Sequence, residues 1–237
     1  DRAVYGFDRV EAAGTMEEKA AHYLDIMREL QPRGPYHLLG WSFGGCLAYE
    51  VACRLHAAGD SVGYLGLIDT ILPAALPGLE SRDLLLERFG RFAEYIEKTY
   101  GHRLELPYEE LAATPDEQQI EVVMRLVARA GLDMSPGVME HQRTSYIDAR
   151  VGERYEPRRY PGRVVLYRAQ ESHRLTTALD PRYLRAEADL GWAPLCGSLE
   201  IVPVRGDHLS LIDPPHVETI AGHLAAALAG GDDDSGG

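Results

Sequence analysis

The feature that most limits how this chain can fold is a corner. An apolar run from Tyr36 to Leu39 ends at Gly40, Trp41, Ser42, Phe43, Gly44 and Gly45, and a helical pattern begins in the same residues. The run reads as a buried strand, and the helix continues to about Ala58, where Gly59 supplies a C-terminal cap. A second run, Val62 to Asp69, is apolar almost throughout, as expected of a strand in a parallel sheet with helices on both faces. Upstream, Thr15 and Glu18 form a capping box, and Ala20, Tyr23, Leu24, Met27 and Leu30 recur at helical spacing, which predicts a helix over 16–30 that "QPRGP" stops. With "RAVYGF" read as a short β-like run at the start, strands and helices alternate, the pattern of an α/β protein.

From Pro73 to about Tyr160 the character changes, with more charge and no strand signal. Ser81 to Tyr100 carries Leu84, Leu85, Leu86, Phe89, Phe92, Tyr95 and Ile96 at helical spacing; Thr114 is expected to cap a second helix with Pro115 at its first position, and Ser135 and Pro136 to open a third. Strand character returns in "RVVLYRA" (Arg163 to Ala169) and "LEIVPV" (Leu199 to Val204), and a last helix spans about Pro215 to Leu228. The expected organisation is a core segment 1–72, a helical insertion 73–160, a second core segment 161–230 and a disordered tail 231–237, "GDDDSGG".

Composition bounds the function. A formal charge of −13 without clustered Lys and Arg argues against a nucleic-acid surface. No apolar run is long enough to span a membrane and no signal-peptide pattern opens the sequence, so the expectation is a soluble cytoplasmic protein with no membrane partner. The three cysteines, Cys46, Cys53 and Cys196, form no C-x-x-C pair and read as buried packing thiols, not a metal or disulfide site.

The corner itself has the form G-x-S-x-G. Such a strand-to-helix turn forces its serine into a strained conformation and lifts the hydroxyl above the strand end, with only small neighbours avoiding collision. Gly40 and Gly44 are those neighbours, and Gly45 adds clearance. Ser42 also stands at the amino end of a helix, where free N–H groups and the helix dipole favour developing negative charge, so the N–H of Phe43 is the natural first donor of an oxyanion hole. The bland alternative is a glycine-rich turn that joins two elements and does nothing else. A serine alone is a poor nucleophile, and the hypothesis needs a base and an acid.

Among nine histidines the base should lie in a loop after a late strand, on the carboxyl edge of the sheet. His208, in "VPVRGDHLSLIDPP", fits; His216, at the start of the last helix, is the nearby rival. Two residues compete for the acid: Asp69 ends the strand after the nucleophile's helix, and Glu171 follows the next strand, the more usual place in α/β-hydrolases. Spacing does not choose between them; the short side chain of Asp69 favours it, because a short carboxylate is easily held by neighbouring N–H groups. Asp207, next to the histidine, reads as a loop-shaping residue.

With serine, acid and histidine in that chain order, the sequence resembles the α/β-hydrolase thioesterase domains that end nonribosomal peptide synthetases. The resemblance rests on "GPYHLLGWSFGG", with its tryptophan before the serine, on "LGLIDT", on "VVLYRAQES" and on "GDHLSLIDPPHV". It covers roughly residues 2–72 and 160–230 and implies the acid at the end of the strand after the nucleophile helix, which points to Asp69. Members of the family usually begin with two or three further strands and a glycine-containing loop that supplies a second oxyanion-hole N–H; this sequence starts at what should be the strand after them.

What the resemblance implies is a terminal thioesterase that takes a peptidyl thioester from the phosphopantetheine arm of a carrier domain, expected upstream in the same polypeptide. Release would run through an acyl-enzyme on Ser42, by macrocyclisation or hydrolysis, with no metal and no cofactor held by the domain itself. The helical insertion would act as a lid. An editing thioesterase, a serine esterase or lipase, and a binding module on an inactive hydrolase fold are the competing readings.

Overall fold

In a computed structural model of the chain, residues 3–10, 14–73, 81–132, 136–173, 177, 183 and 187–230 are described. The tail 231–237 and Ser135, both named in the sequence expectations, lie outside these residues, as do the side chains of Leu84, Leu85 and Leu86. Two compact units form: Asp1–Pro73 with Arg154–Ser172 and Arg185–Gly237, and Ala74–Glu153 with His173–Leu184.

The first unit holds helix α1 (Met16–Leu30), strand β1 (Tyr36–Trp41), helix α2 (Phe43–Ala57) and strand β2 (Val62–Ile68), followed by β3 (Tyr160–Ala169), β4 (Cys196–Val204) and a last helix, α7 (Val217–Gly230). The four strands form a parallel sheet in the order β1-β2-β3-β4. Parallel strands need crossovers, and the helices that supply them cover both faces, which explains why β2 is buried along most of its length. Tyr64, Ile68, Val165, Tyr167, Ala169 and Val204 line one face together with Ile220 and Leu224 of α7. The alternate residues Leu38, Leu65, Leu67, Val164 and Leu166 are buried on the other, where α2 crosses β1 and β2.

Local chemistry fixes the ends of the elements. Glu18 N–H donates to Thr15 Oγ1 at 3.1 Å and Thr15 N–H to Glu18 Oε2 at 3.3 Å, closing the capping box of α1. Gly59, at φ +82°, takes the left-handed position after α2. Buried Glu50 on α2 ties down the segment leading into β3: it accepts from Tyr155 Oη (3.1 Å), Arg158 (3.2 Å) and Arg54 (2.9 Å).

Several expectations need correction. Residues 3–8 of "RAVYGF" and its flank form no strand; the chain at the end of this segment is held to α1 instead, where Lys19 Nζ and Tyr23 Oη donate to the carbonyls of Val10 and Asp8 and Val10 N–H donates to Tyr23 Oη. β3 begins at Tyr160, earlier than predicted, because Pro161 and Gly162 are absorbed by an irregularity between the Tyr160–Cys196 and Arg163–Ser198 pairs. β4 accordingly starts at Cys196.

The second unit is helical: α3 (Ser81–Tyr100), α4 (Tyr108–Ala113), α5 (Asp116–Arg129) and α6 (Pro136–Glu153). Helix α4 escaped the sequence reading, and Thr114 serves it rather than α5: its hydroxyl donates to Glu110 O at 2.7 Å, and Pro115 stands at the N-cap of α5. Phe89, Phe92 and Ile96 share a core with Leu111, Val123 and Tyr146, and Phe89 stacks on Tyr146 with centroids 5.1 Å apart, so these apolar residues are accounted for inside the unit.

Cys46, Cys53 and Cys196 are buried thiols outside any disulfide. Burial, with the Glu50 charge nearby, pushes the Cys53 thiol up to about 12, and burial pushes Cys196 up to about 11. Only thiolate reacts quickly with alkylating reagents. Iodoacetamide at pH 8 is therefore expected to leave the native protein unmodified over a period in which it labels the urea-unfolded chain at all three positions; equal labelling rates, read by intact mass, would contradict the burial.

Candidate active site

The β1–β2 register aligns Trp41 with Ile68, so the next residues, Ser42 and Asp69, leave neighbouring strands at the same sheet edge. Each extends the ladder by one bond: Ser42 N–H donates to Ile68 O at 2.9 Å, and Asp69 N–H to Tyr167 O at 2.8 Å. Each also bends sharply. Ser42 has φ +55° and ψ −123°, and Asp69 has φ +40°. Non-glycine residues held there cost about 1–3 kcal/mol apiece, which the surrounding sheet and helix must offset.

The tightness of the corner falls on Gly40 and Gly45. A Cβ on Gly40 would collide with the backbone of Gly44 and Gly45, and one on Gly45 with the side chain of Thr70, itself fully buried. Gly44 differs from expectation: an added Cβ there would meet nothing within 4 Å. The reason is geometric: Gly40 lies directly against the Gly44–Gly45 backbone and Gly45 against Thr70 just past β2, while the Cα–Cβ direction at Gly44 points into open space.

His208 arrives from the loop after β4. Gly206 turns at φ +92°, and the Asp207 carboxylate accepts from Leu209 N–H and Ser210 N–H at 3.0 Å each, shaping the loop as its place beside the histidine suggested. The structure brings the three sequence candidates together. His208 Nδ1 lies 2.9 Å from Asp69 Oδ2, and His208 Nε2 lies 3.1 Å from Ser42 Oγ. An ionised carboxylate only accepts, so Nδ1 carries the proton and Nε2 is left to accept from the serine hydroxyl. Burial pushes the Asp69 carboxyl up, but the His208 hydrogen bond, the Ala169 N–H, and the charges of His208 and Arg168 outweigh it, so the net shift is downward. Asp69 is 1% exposed. Glu171, the competing acid, is exposed, and its N–H is bonded to Gly206 O; His216 sits against Gly206 instead of Ser42.

Phe43 is the first residue of α2, and first-turn N–H groups have no acceptor within their own helix. Two further residues bear on the site without having been singled out for it. The Trp41 indole N–H donates to His208 O at 3.1 Å, and its ring lies against the imidazole with centroids 5.3 Å apart. Arg168, on β3, donates to Asp69 Oδ1 at 3.0 Å, as does Ala169 N–H. Trp41 was visible only as the residue before the serine, and Arg168 only as a charge inside an apolar strand. Among the described residues, no group of three or more His, Cys, Asp or Glu is placed to hold a metal ion, and no helix is long and apolar enough to cross a membrane.

This sheet with its strand-end serine defines an α/β-hydrolase fold. The family model of the thioesterase domain matches residues 3–228, and the chain belongs to that family. A non-reducing polyketide synthase from Arthrinium sp is 31% identical over 250 residues, covering 97% of this chain and 11% of the synthase. A crystal structure of a four-domain nonribosomal peptide synthetase bound to AMP and glycine is 25% identical with a TM-score of 0.59, over 91% of this chain and 16% of that one. A thioesterase domain named NocB, in covalent complex with a fluorophosphonate nocardicin G analogue, is 27% identical with a TM-score of 0.52, over 93% of this chain and 77% of that one. The chain spans 2% of the length of the N-(5-amino-5-carboxypentanoyl)-L-cysteinyl-D-valine synthase it matches in Penicillium rubens, and 14% of an atromentin synthetase.

The glycine geometry carries a prediction. Gly40→Ala is expected to lower stability by about 2 kcal/mol or more, since backbone must move to admit the methyl group. Gly44→Ala, in the first turn of α2, should be neutral or stabilising by up to about 1 kcal/mol. Thermal melts of the two variants give the ranking, and a reversed order would contradict the packing of the corner.

Proposed function

We propose that this chain is the terminal thioesterase of a peptide-assembling synthetase, releasing a carrier-bound peptidyl thioester through an acyl-enzyme on Ser42. The observation that carries the reading is the unbroken hydrogen-bonded series from Ser42 Oγ through His208 to buried Asp69, at a strained corner in a thioesterase-family chain. That its relatives include large multidomain synthetases supports a carrier domain as partner. The substrate would arrive on the carrier's phosphopantetheine arm, and the chemistry below asks for no cofactor or metal in this domain.

In the first half-reaction His208 Nε2 takes the hydroxyl proton as Ser42 Oγ bonds to the thioester carbonyl carbon. The carbonyl electron pair moves to oxygen, and the oxyanion faces the Phe43 N–H at the positive end of α2. Collapse breaks the C–S bond, the thiol leaves with the proton from His208, and an ester remains on Ser42. Asp69 holds the ring orientation and stabilises the transient imidazolium. In the second half-reaction water, or an amine or hydroxyl of the bound peptide, attacks the ester with His208 again as base, giving a linear acid or a macrocycle. The two outcomes share every residue named here and differ in how far water is kept from the ester.

Intact-mass measurement after exposure to an activated peptidyl thioester should show an acyl adduct on the native protein and none on Ser42→Ala. Labelling that survives in the variant would exclude Ser42 as nucleophile. Asp69→Asn is expected to slow turnover by orders of magnitude, about 10⁴-fold where the wrong tautomer results, and Glu171→Gln by less than about threefold. Rates on peptidyl, acetyl and simple oxygen esters then separate terminal release from editing and from general esterase activity: preference for the acetyl thioester or the oxygen ester would overturn release.

A further inference from the structure

Asp69 does not meet His208 as an isolated carboxylate. Its Oδ2 accepts from the imidazole, while its Oδ1 accepts from Ala169 N–H and from the guanidinium of Arg168, both at 3.0 Å. The Ala169 N–H alone would suffice to orient the carboxylate, because a peptide N–H fixes direction without altering net charge. Arg168 adds a full positive charge, on a side chain only 21% exposed against a carboxylate that is 2% exposed, where screening by water is weak. Its place follows from the sheet: Ile68 pairs with Tyr167, so the next residue of β3 stands beside Asp69.

A buried carboxylate beside an imidazole favours the imidazolium. That helps the transition state, in which the ring is charged, and harms the resting state, in which the ring must be neutral to accept the serine proton. A guanidinium on the far oxygen withdraws part of that attraction while leaving the Oδ2 hydrogen bond in place. Among the described residues near His208, the charged groups are turned elsewhere or exposed. From the end of β1 comes the uncharged Trp41 ring and from the corner after it the Ser42 hydroxyl; on its own loop Asp207 turns its carboxylate to the N–H groups of Leu209 and Ser210, and Arg205 is exposed. Beyond β3, Glu171 is exposed, and at the start of α7 His216 lies against Gly206, with Asp213 exposed before it.

We propose that Arg168 is a positioning residue of the site: by holding Asp69 Oδ1 and sharing its charge, it keeps His208 available as a proton acceptor to lower pH than the carboxylate alone would allow. The proposal rests on the reading of Ser42, His208 and Asp69 as the reacting group. The sign is fixed by electrostatics. Removing the positive charge leaves the whole carboxylate charge to the ring, the ring holds a proton more firmly, and proton acceptance from Ser42 begins only at higher pH.

The test is the pH dependence of the rate at which a small alkyl fluorophosphonate phosphonylates Ser42, followed by intact mass. With Arg168→Gln the acidic limb of the profile should move up by about half to one pH unit, so that the rate on the limb falls by about 3- to 10-fold. Arg168→Met, which keeps the aliphatic stem, should move it likewise and stands in if the glutamine variant does not fold. Arg168→Lys keeps the charge and should leave the limb near its native position while lowering the plateau, because an ammonium lacks the planar fork. A limb that stays put in both neutral variants, with only the plateau lowered or nothing changed, overturns the proposal and leaves the assignment of Ser42, His208 and Asp69 standing. Failure of the native protein to be labelled at all, or equal labelling of Ser42→Ala, removes that assignment and the role of Arg168 with it.

Discussion

The site depends on one pairing, the parallel register that sets Trp41 beside Ile68 and Ile68 beside Tyr167. Because adjacent parallel strands end on the same edge, the residues just past those pairs, Ser42, Asp69 and Arg168, stand in a row across three strands. The loop after the fourth strand then needs only to drop His208 between the first two. Ser42 and Asp69 each exchange an ordinary extended conformation for a left-handed one as they leave the sheet. The sheet holds them there through the bonds from Ser42 N–H and Asp69 N–H to the neighbouring strands, and the strain is stored at those two residues.

The helices carry the other half of this constraint. α2 must begin immediately after Ser42 and press close to β1 and to Thr70 beyond β2, and the absence of side chains at Gly40 and at Gly45 makes those two approaches possible. Its buried Glu50 then ties the segment before β3 into the same unit through Tyr155 and Arg158. On the opposite face Tyr64 and Tyr167 join their hydroxyls at 2.5 Å, and Tyr167 Oη lies 3.0 Å from His223 Nδ1 of α7. A polar thread of this kind permits one rotational setting of the helix, where an apolar face alone would tolerate several.

Much of this was legible in the sequence because it is local. The capping box at Thr15, the corner at Ser42 and the apolar strand ending at Asp69 are each written in a few consecutive residues, and the structure places Ser42, Asp69 and His208 within hydrogen-bonding reach. What escaped is governed by tertiary pairing. "RAVYGF" has strand composition, but residues 3–7 form no strand and the chain just past them is held to α1 through Asp8 and Val10; Pro161 and Gly162 lie before the expected strand, but pairing of Tyr160 with Cys196 carries the strand through them. Thr114 looked like a cap for the helix after it and closes the one before. Spacing left Asp69 and Glu171 open, since both follow strands on one edge, and the short side chain only favoured Asp69; the loop carrying His208 distinguishes them. Trp41 and Arg168 gave no local signal, because their partners lie 167 and 99 residues away.

The indole of Trp41 has a further meaning. In a G-x-S-x-G pattern the position before the serine is written as a wildcard, free to vary. Here it is a hinge pin: it grips the main chain of the histidine's loop with one edge and supports the imidazole with its face, so Ser42 and His208 are mounted on a single bracket. A chain that carries a different residue at this position has to secure its histidine by another route. Engineers grafting loops between such scaffolds would do well to move the wildcard and the histidine loop together.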